Sequence, residues 1–299
     1  MTEIILDLEW NGSYSKKAHG YFNEIIEIGA VRVEDGCRMA DTFHAVIRPV
    51  YSEKLTEFVT NLTNITEGDL AQGETFPEAV DRIRRWMGDG DTVLLTWSTT
   101  DLLVLIENCE RFFGCRTIPF MKAYADLQAY TQKRMGEDLS RQLALGKACE
   151  KLSISEEGAD LHRALDDSIL SARIFIQLYE ASFAGEIQPV NQEFYDRITF
   201  KSYYIRDIDS PLIPRSELQF RCPACNRNLK REGDWKYRNR AFYADFRCGE
   251  CERRFVGRVQ CKRKYEGVVF KKKLIELVKV EGQIQSDNIM EARSEEQQI

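Results

Sequence analysis

Apolar and polar positions along the first 185 residues follow regular periods that predict secondary structure. Residues 4–9 are an apolar run that ends in alternating acids, and residues 24–33 and 39–47 also have the composition of strands. Residues 34–36 (Glu-Asp-Gly) predict a hairpin turn between the last two, whereas the polar residues 11–20 predict a loop. Three strands linked in this way predict an antiparallel meander.

Beyond the meander, helical periodicity alternates with short apolar runs. Helices are predicted over residues 54–61, 76–87, 101–113, 127–135, 140–152 and 163–183, and strands over residues 92–96 and 122–125. A meander followed by alternating strands and helices predicts an α/β fold in which helices flank a mixed sheet.

The periodicity weakens in two later segments. Residues 186–215 contain three prolines and predict a linker, and residues 282–299 are polar and acidic and predict a disordered tail. We therefore expect one domain over residues 1–185 and a second, smaller domain over residues 216–281.

Composition narrows the class of protein. Of the 299 residues, 43% are hydrophobic and 30% are charged, as in ordinary globular proteins. No apolar run reaches the length of a membrane span, and the N-terminus lacks the basic-then-apolar pattern of a signal peptide. These features predict a cytoplasmic protein without a membrane partner.

Charge is distributed unevenly along the chain. Residues 215–281 contain 19 Lys and Arg against 9 Asp and Glu, a net charge of +10. Because the whole chain carries −6, the remaining residues carry −16. An acidic body joined to a basic segment predicts that the body binds cations and that the segment binds a polyanion.

The first predicted strand presents two acids on one face. Asp7 and Glu9 alternate with apolar residues and therefore project from the same face, about 7 Å apart. Two carboxylates at this distance are costly to desolvate unless a cation lies between them, which predicts a divalent metal site. The alternative is a strand end with two solvated acids, and other acids in the chain must decide between the two.

A second acid pair opens the last predicted helix. Asp167 shares its helical face with the buried positions Leu170 and Ile174, so it points toward the sheet, whereas Asp166 lies on a face that drifts into solvent. A buried carboxylate needs a partner, and a metal held by the first strand would provide one. His162 precedes Asp167 by five residues and can face the same site only from the loop before the helix.

Asp101 is the fourth candidate acid. It lies in the first turn of a predicted helix, where an acid also simply favours the helix dipole.

These residues, taken together, resemble the DEDDh 3′–5′ exonucleases, the superfamily of the polymerase proofreading subunit, RNase T and oligoribonuclease. The matching pieces occur in the family order over residues 1–183. They are Asp7-x-Glu9, residues 25–31 (IIEIGAV), residues 62–66 (LTNIT), Asp101-Leu-Leu, and His162 with Asp167 five residues later.

Three positions depart from the pattern of many members. Trp10 follows Glu9, Asn64 replaces a usual glycine, and residues 96–100 (TWSTT) differ from the proofreading enzymes. These features are closer to the enhanced-RNAi type exoribonucleases and leave the choice between RNA and DNA open.

The resemblance implies an RNase H-like fold and a metal-dependent hydrolysis. Asp7, Glu9, Asp101 and Asp167 would hold two Mg²⁺ or Mn²⁺ ions, for which hard oxygen ligands are suited. A neutral His162 would take the proton from the attacking water, a role that contributes about 10²–10⁴-fold in rate. By the same resemblance, Glu9 contacts the terminal 3′-hydroxyl and the product is a 5′-nucleotide.

Two cysteine pairs lie in the basic segment. Cys222 and Cys225 form one C-x₂-C pair, and Cys248 and Cys251 form the other, with 22 residues between the pairs. Four thiolates at this spacing predict one structural Zn²⁺ ion in a tetrahedral site. The segment resembles a zinc ribbon of three strands, which depends on its metal for much of its folding energy.

Between the pairs, aromatic and basic residues alternate, a pattern suited to phosphate contacts and base stacking. The predicted nucleic-acid contacts are Trp235, Lys236, Tyr237, Arg238, Arg240, Phe242 and Tyr243. Zinc ribbons also bind proteins, so a protein partner remains an alternative.

The sequence predicts a metal-dependent 3′–5′ exonuclease that acts on the 3′ ends of single-stranded RNA, with the ribbon binding the substrate. The alternatives are a 3′–5′ DNA exonuclease and a non-catalytic nucleic-acid-binding protein on a nuclease fold. The presence of all five candidate catalytic residues favours an enzyme.

Overall fold

Six strands within the first 199 residues form one sheet. They are β1 (Thr2–Ser15), β2 (Gly20–Glu34), β3 (Arg38–Val46), β4 (Thr92–Thr96), β5 (Ala123–Asp126) and β6 (Gln188–Pro189). The spatial order is β3-β2-β1-β4-β5-β6. β1, β2 and β3 are antiparallel, β4 and β5 are parallel to β1, and β6 is antiparallel to β5. The prediction of a meander within a mixed α/β sheet is confirmed.

The computed structural model describes residues 1–158, 162–280 and 283–285 and divides the chain into two units, Met1–Thr199 and Phe200–Ile299. The segment predicted as a linker contributes to both units, since β6 pairs with β5 whereas Tyr203 and Tyr204 pair with a strand of the second unit. The predicted disordered tail lies outside the described residues, apart from a short strand at residues 283–285.

Helices cover both faces of the first sheet. They are α1 (Glu57–Thr63), α2 (Glu67–Ala71), α3 (Phe76–Met87), α4 (Thr99–Phe113), α5 (Leu127–Met135), α6 (Leu145–Leu152), α7 (Ala164–Leu178) and α8 (Gln192–Ile198). Leu6 and Leu8 of β1 pack with α3 and α4, whereas Ile5 packs with α5 and α7 on the opposite face. None of the helices in the described ranges combines the length and apolar character of a membrane span.

The structure corrects the prediction for residues 11–20. β1 continues to Ser15 and β2 begins at Gly20, so most of the predicted loop is a paired hairpin. The polar side chains there are satisfied by a distant segment: Asn11 Nδ2 donates to the Lys54 carbonyl oxygen, and Ser15 Oγ donates to that of Tyr51. Their polarity therefore reflects side-chain hydrogen bonding within a strand rather than a loop.

A five-stranded sheet forms the second unit. Its strands are β7 (Tyr203–Tyr204), β8 (Lys230–Arg238), β9 (Ala241–Arg247), β10 (Arg254–Arg263) and β11 (Val268–Glu276). They run in the order β11-β10-β9-β8, and β7 pairs with the end of β10 that extends past β9. The expectation of three strands was wrong because β7 comes from the predicted linker and β11 follows the second cysteine pair.

Candidate active site

Asp7 and Glu9 lie on the face of β1 that α7 covers, and both side chains are half-buried. In the pairing with β2, Asp7 is opposite Gly29 and Glu9 is opposite Glu27. The register shifts between Glu9 and Trp10, where a bulge interrupts the ladder directly after the second acid. Bulges of this kind often redirect side chains beside functional sites.

Asp101 reaches the same part of the sheet from the first turn of α4. Its side chain is only 7% exposed. The backbone N–H of Leu8, which lies between Asp7 and Glu9, lowers the pKa of the Asp101 carboxylate. Burial and this interaction with β1 distinguish Asp101 from an acid that only favours the helix dipole.

The first turn of α7 is clamped onto β2 by Glu27, a fully buried carboxylate. Glu27 Oε2 accepts a hydrogen bond from the backbone N–H of Ala164 at 2.9 Å, and Glu27 Oε1 accepts one from Arg163 Nε at 3.1 Å. His44 Nε2 lies 2.7 Å from Oε1. Burial alone would raise the pKa of Glu27, but the bonds to His44 and Arg163 lower it to about 2.

Gly29 allows this close approach of α7 to the sheet. A Cβ atom added at Gly29 would lie 2.1 Å from the carbonyl carbon of Ala164. Ser168 Oγ also donates a hydrogen bond to the Gly29 carbonyl oxygen at 3.0 Å. Sequence reasoning missed the role of Glu27, although an acid within an apolar strand already signals a buried partner.

His162 lies before α7, in the loop position that the helical periodicity required. It precedes the N-cap residue Arg163 and has a φ of 66°, a left-handed conformation that is uncommon for a non-glycine residue. Side-chain ligand atoms of Glu9, His162 and Asp167 lie within 4.8 Å of one another. The His162 backbone N–H also lowers the pKa of the Asp167 carboxylate.

Burial and neighbouring carboxylates raise the pKa values of all four acids. Burial and the charges of Asp101 and Asp167 hold the pKa of Asp7 well above its usual range, and burial raises that of Asp101. Burial and the Asp167 charge raise the pKa of Glu9 to about 8. Burial raises the pKa of Asp167 to about 6, against the opposing effect of His162. A desolvated carboxylate cluster of this kind fits divalent cations, which would neutralise it.

The four paired cysteines of the second unit also converge. Their sulfur atoms lie within 4.8 Å of one another, with Cys222 Sγ 3.5 Å from Cys251 Sγ and Cys225 Sγ 3.4 Å from Cys248 Sγ. Backbone N–H groups of Cys251 and Glu250 lower the pKa of Cys248 to about 6, which favours the thiolate. The arrangement is compatible with a tetrahedral zinc ion.

The two pairs have the same local backbone. Asn226 after the first pair and Glu252 after the second have φ values of 56° and 58°. The first cysteine of each pair bonds the residue that follows this turn: Cys222 N–H donates to the Arg227 carbonyl, and Cys248 N–H donates to that of Arg253. These two matching turns support the resemblance to a zinc ribbon.

The predicted nucleic-acid contacts do not all lie on one surface. Phe242 is only 2% exposed, and Trp235 packs against Phe246 with ring centroids 5.7 Å apart. Phe242 is thus a core residue whose ring is not available for stacking on a base. Four of the predicted contacts are exposed, Lys236, Tyr237, Arg238 and Arg240, and two are half-buried, Trp235 and Tyr243.

Comparison with known proteins agrees with this geometry. The model of the exonuclease family, RNase_T, matches residues 4–175. The probable 3′–5′ exonuclease KapD of Bacillus subtilis is 30% identical over 176 residues, which cover 58% of this chain and 82% of that protein. The DNA polymerase III subunit epsilon of Aquifex aeolicus is 26% identical over 187 residues, 60% of this chain and 81% of that protein.

Two further matches concern an exoribonuclease and a nuclease domain bound to rAMP. The 3′–5′ exoribonuclease 1 of Rattus norvegicus is 26% identical over 174 residues, which cover 54% of this chain but 48% of that protein. Among solved structures, the nuclease domain of 3′hExo, a DEDDh family member bound to rAMP, is similar with a TM-score of 0.53 and 24% identity. The likeness covers 64% of this chain and 96% of that domain and shows the shared fold.

The fold and the family match define a hydrolase of the exonuclease type. The chain belongs to the exonuclease family and is a 3′–5′ exonuclease. Its fold implies the use of divalent metal ions.

Proposed function

We propose that the protein removes 5′-nucleotides from the 3′ ends of single-stranded RNA, with two Mg²⁺ or Mn²⁺ ions at the active site and one structural Zn²⁺ in the ribbon. The observation that supports this most directly is the convergence of four acids and one histidine from β1, α4 and the start of α7. A non-catalytic protein would have no need to retain this costly carboxylate cluster.

The roles of the residues follow from their chemistry. Asp7, Glu9, Asp101 and Asp167 hold the ions, which when bound neutralise charge on the phosphate and on the departing oxygen. His162, exposed at the edge of the site, accepts a proton from the attacking water. The water oxygen bonds to phosphorus, the bond to the 3′-oxygen of the shortened strand breaks, and that oxygen takes a proton. Glu9 contacts the terminal 3′-hydroxyl of the substrate.

The preference for RNA rests on two supports. Trp10, Asn64 and residues 96–100 match the enhanced-RNAi type better than the proofreading type, and an exoribonuclease is among the relatives. Asn64 ends α1 with a φ of 57°, a left-handed conformation that asparagine tolerates better than most residues, so it can replace the usual glycine. Relatives that belong to DNA polymerases make DNA the second candidate.

The test is to incubate the full-length protein and Mg²⁺ with RNA and DNA oligonucleotides of the same sequence, labelled at the 5′ end. We expect a ladder of RNA shortened from the 3′ end, release of 5′-nucleotides and slower loss of DNA. Faster shortening of DNA would replace the RNA proposal by the DNA one. Binding of both oligonucleotides without shortening would overturn the catalytic assignment.

A further inference from the structure

The sheet of the second unit has one buried face and one accessible face. Along β9, Phe242, Ala244 and Phe246 are buried in the core of the unit, whereas the alternate residues Tyr243 and Asp245 are at least partly accessible. Side chains of successive strand residues point to opposite faces, so the accessible face can be followed from strand to strand through the pairing register.

One register row crosses four strands on this face. Lys236 of β8 is opposite Tyr243 of β9, Tyr243 is opposite Arg258 of β10, and Arg258 is opposite Lys273 of β11. We call these four residues the cross-strand row. It places one aromatic ring among three cations, although the four residues are far apart in the chain.

Neighbouring contacts fix the ring of Tyr243. Arg258 Nε donates a hydrogen bond to Tyr243 Oη at 3.2 Å, and the Arg238 guanidinium lies over the ring, 4.4 Å from its centroid. In the described part of the chain, Lys236, Arg238, Arg258 and Lys273 form no ion pair with a carboxylate. Their charges are therefore available to an anionic ligand.

A second aromatic group extends the surface along β10. Tyr204 of β7 is opposite Lys262, four residues beyond Arg258, or roughly 13 Å along the strand. The Lys262 ammonium and the Arg240 guanidinium lie 5.5 and 5.6 Å from the centroid of the Tyr204 ring. A surface cavity of about 660 Å³ is lined by Tyr204 and Arg240, among others.

Arg240 is held in an uncommon backbone conformation. Asn239 and Arg240 have φ values of 46° and 56° in the two-residue turn between β8 and β9. Such turns favour glycine at the second position, and a non-glycine residue there costs on the order of 1 kcal/mol. The conformation keeps the arginine at the turn that borders the cavity.

Acidic residues mark the other end of the surface. The next row on the same face contains Glu232 opposite Asp245, and Lys230 lies beyond it, opposite Arg247. The cations near Tyr243 and Tyr204 are thus separated from Lys230 by two carboxylates that repel phosphates.

We propose that the cross-strand row, together with Arg238, Tyr204, Arg240 and Lys262, binds single-stranded nucleic acid. The tyrosine rings stack on two separate bases, and the cations neutralise the phosphates between and beside them. The proposal rests on the function proposed above, an exonuclease of single-stranded RNA, and on the prediction from sequence that the ribbon binds its substrate. It assigns that binding to one face and adds Tyr204, Arg258, Lys262 and Lys273 to the residues expected from sequence.

The test is the affinity of full-length protein for a 20-nucleotide oligouridylate without added magnesium, measured at several salt concentrations. Tyr243→Leu and Tyr204→Leu should each weaken binding about tenfold, whereas the ring-keeping variants Tyr243→Phe and Tyr204→Phe should bind nearly as well as wild type. Lys273→Gln should reduce the slope of log affinity against log salt by about 0.7. Lys230→Gln, beyond the acidic row, should leave the slope unchanged.

Zinc content and circular dichroism establish that each variant is folded. If the leucine variants bind like the phenylalanine variants, the rings do not stack on bases and the proposal is overturned. If Lys273→Gln and Lys230→Gln reduce the slope equally, the binding extends past the acidic row and is not confined to the proposed residues, which overturns the proposal. Turnover of a dinucleotide is measured for the wild type and for Lys230→Gln, and it should be the same in both, so a failure of the exonuclease assignment would appear there rather than in the binding data.

Discussion

The Glu27 carboxylate accepts a hydrogen bond from the backbone N–H of Ala164, and this contact ties the first residue of α7 to β2. The N-cap residue, Arg163, makes no side-chain cap bond to the helix. Because Asp167 lies in the first turn of α7, its position at the active site depends on a carboxylate whose own partners are Arg163, His44 and the Ala164 backbone. Glu27 is therefore a positioning residue.

Glu27→Gln should lower the free energy of unfolding by about 3 kcal/mol at pH 7. The folded pKa of Glu27 is about 2, below its ordinary value of 4.5, so its stabilisation is complete above pH 4.5 and is lost as the pH falls toward 2. The difference between wild type and variant should thus be constant from pH 7 to 5 and shrink by pH 3. Urea unfolding followed by helical circular dichroism measures it, since the α-helices of the described residues lie in the first unit.

Glu34→Gln is the matched control for Glu27→Gln. Glu34 lies on the same strand but forms an exposed ion pair with Arg38, so its loss should cost less than about 1 kcal/mol. Equal destabilisation by the two variants would show that Glu27 does not clamp α7.

Gly29→Ala should displace the start of α7, because the new methyl group would meet the Ala164 backbone. We expect a loss of stability of several kcal/mol, as for other substitutions that overpack a core, and a large loss of activity. Gly20→Ala in the same strand is the control, since nothing lies within 4 Å of its added Cβ. Thermal unfolding and nuclease activity are measured for both, and equal behaviour would contradict the close approach.

Asp167→Ala should abolish hydrolysis, whereas Asp166→Ala should retain most of it. Asp167 lies beside Glu9 and His162. The helical period directs the side chain of Asp166 away from these two residues. The measurement is the rate of RNA shortening by folded protein. An Asp166 variant as inactive as the Asp167 variant would refute the assignment of the metal ligand.

His162→Ala should slow hydrolysis by about 10²–10⁴-fold while Mn²⁺ binding stays near that of wild type. The substitution removes a proton acceptor and leaves the four carboxylates in place. Calorimetric titration with Mn²⁺ provides the second measurement. Metal binding weakened as much as in Asp167→Ala would indicate that His162 is a ligand.

Cys222→Ser should release zinc and weaken RNA binding without changing the turnover of a dinucleotide. Loss of one thiolate opens the tetrahedral site that joins the segment before β8 to the turn between β9 and β10. Truncation after Thr199 should have the same effect. This truncation removes the whole second unit, whereas a truncation at residue 216 would leave Tyr203 and Tyr204 of the second sheet behind. Unchanged RNA affinity in both variants would favour a protein partner for the ribbon.

Local signals explain which parts of the fold could be predicted from sequence. The predicted bounds of α3, β4 and α5 match the structure, and α3 carries both a capping box and Pro77 in its first turn. Residues 11–15 were assigned to a loop because the groups that bond their side chains lie some 40 residues later. α7 ends at Leu178, earlier than its apolar period suggested, and a 3₁₀ turn follows at Ala181–Glu186.

The residues of the candidate site also fall into those that could be predicted from sequence and those that could not. The acids on β1 and α7 were found because strand and helix periods are visible in sequence. The clamp by Glu27 was missed because it joins residues that are close only in the fold. The cross-strand row was missed because it depends on strand register, which the sequence of a single strand does not contain.

That row has a consequence for how the binding surface can change during evolution. Substitutions can adjust its charge one residue at a time. An inserted or deleted residue within β10, however, would reverse the two faces beyond that point, turning Arg258 toward the core and exposing an apolar neighbour such as Val259. Single substitutions can therefore change the surface gradually, whereas the insertion or deletion of one residue would remove it at once.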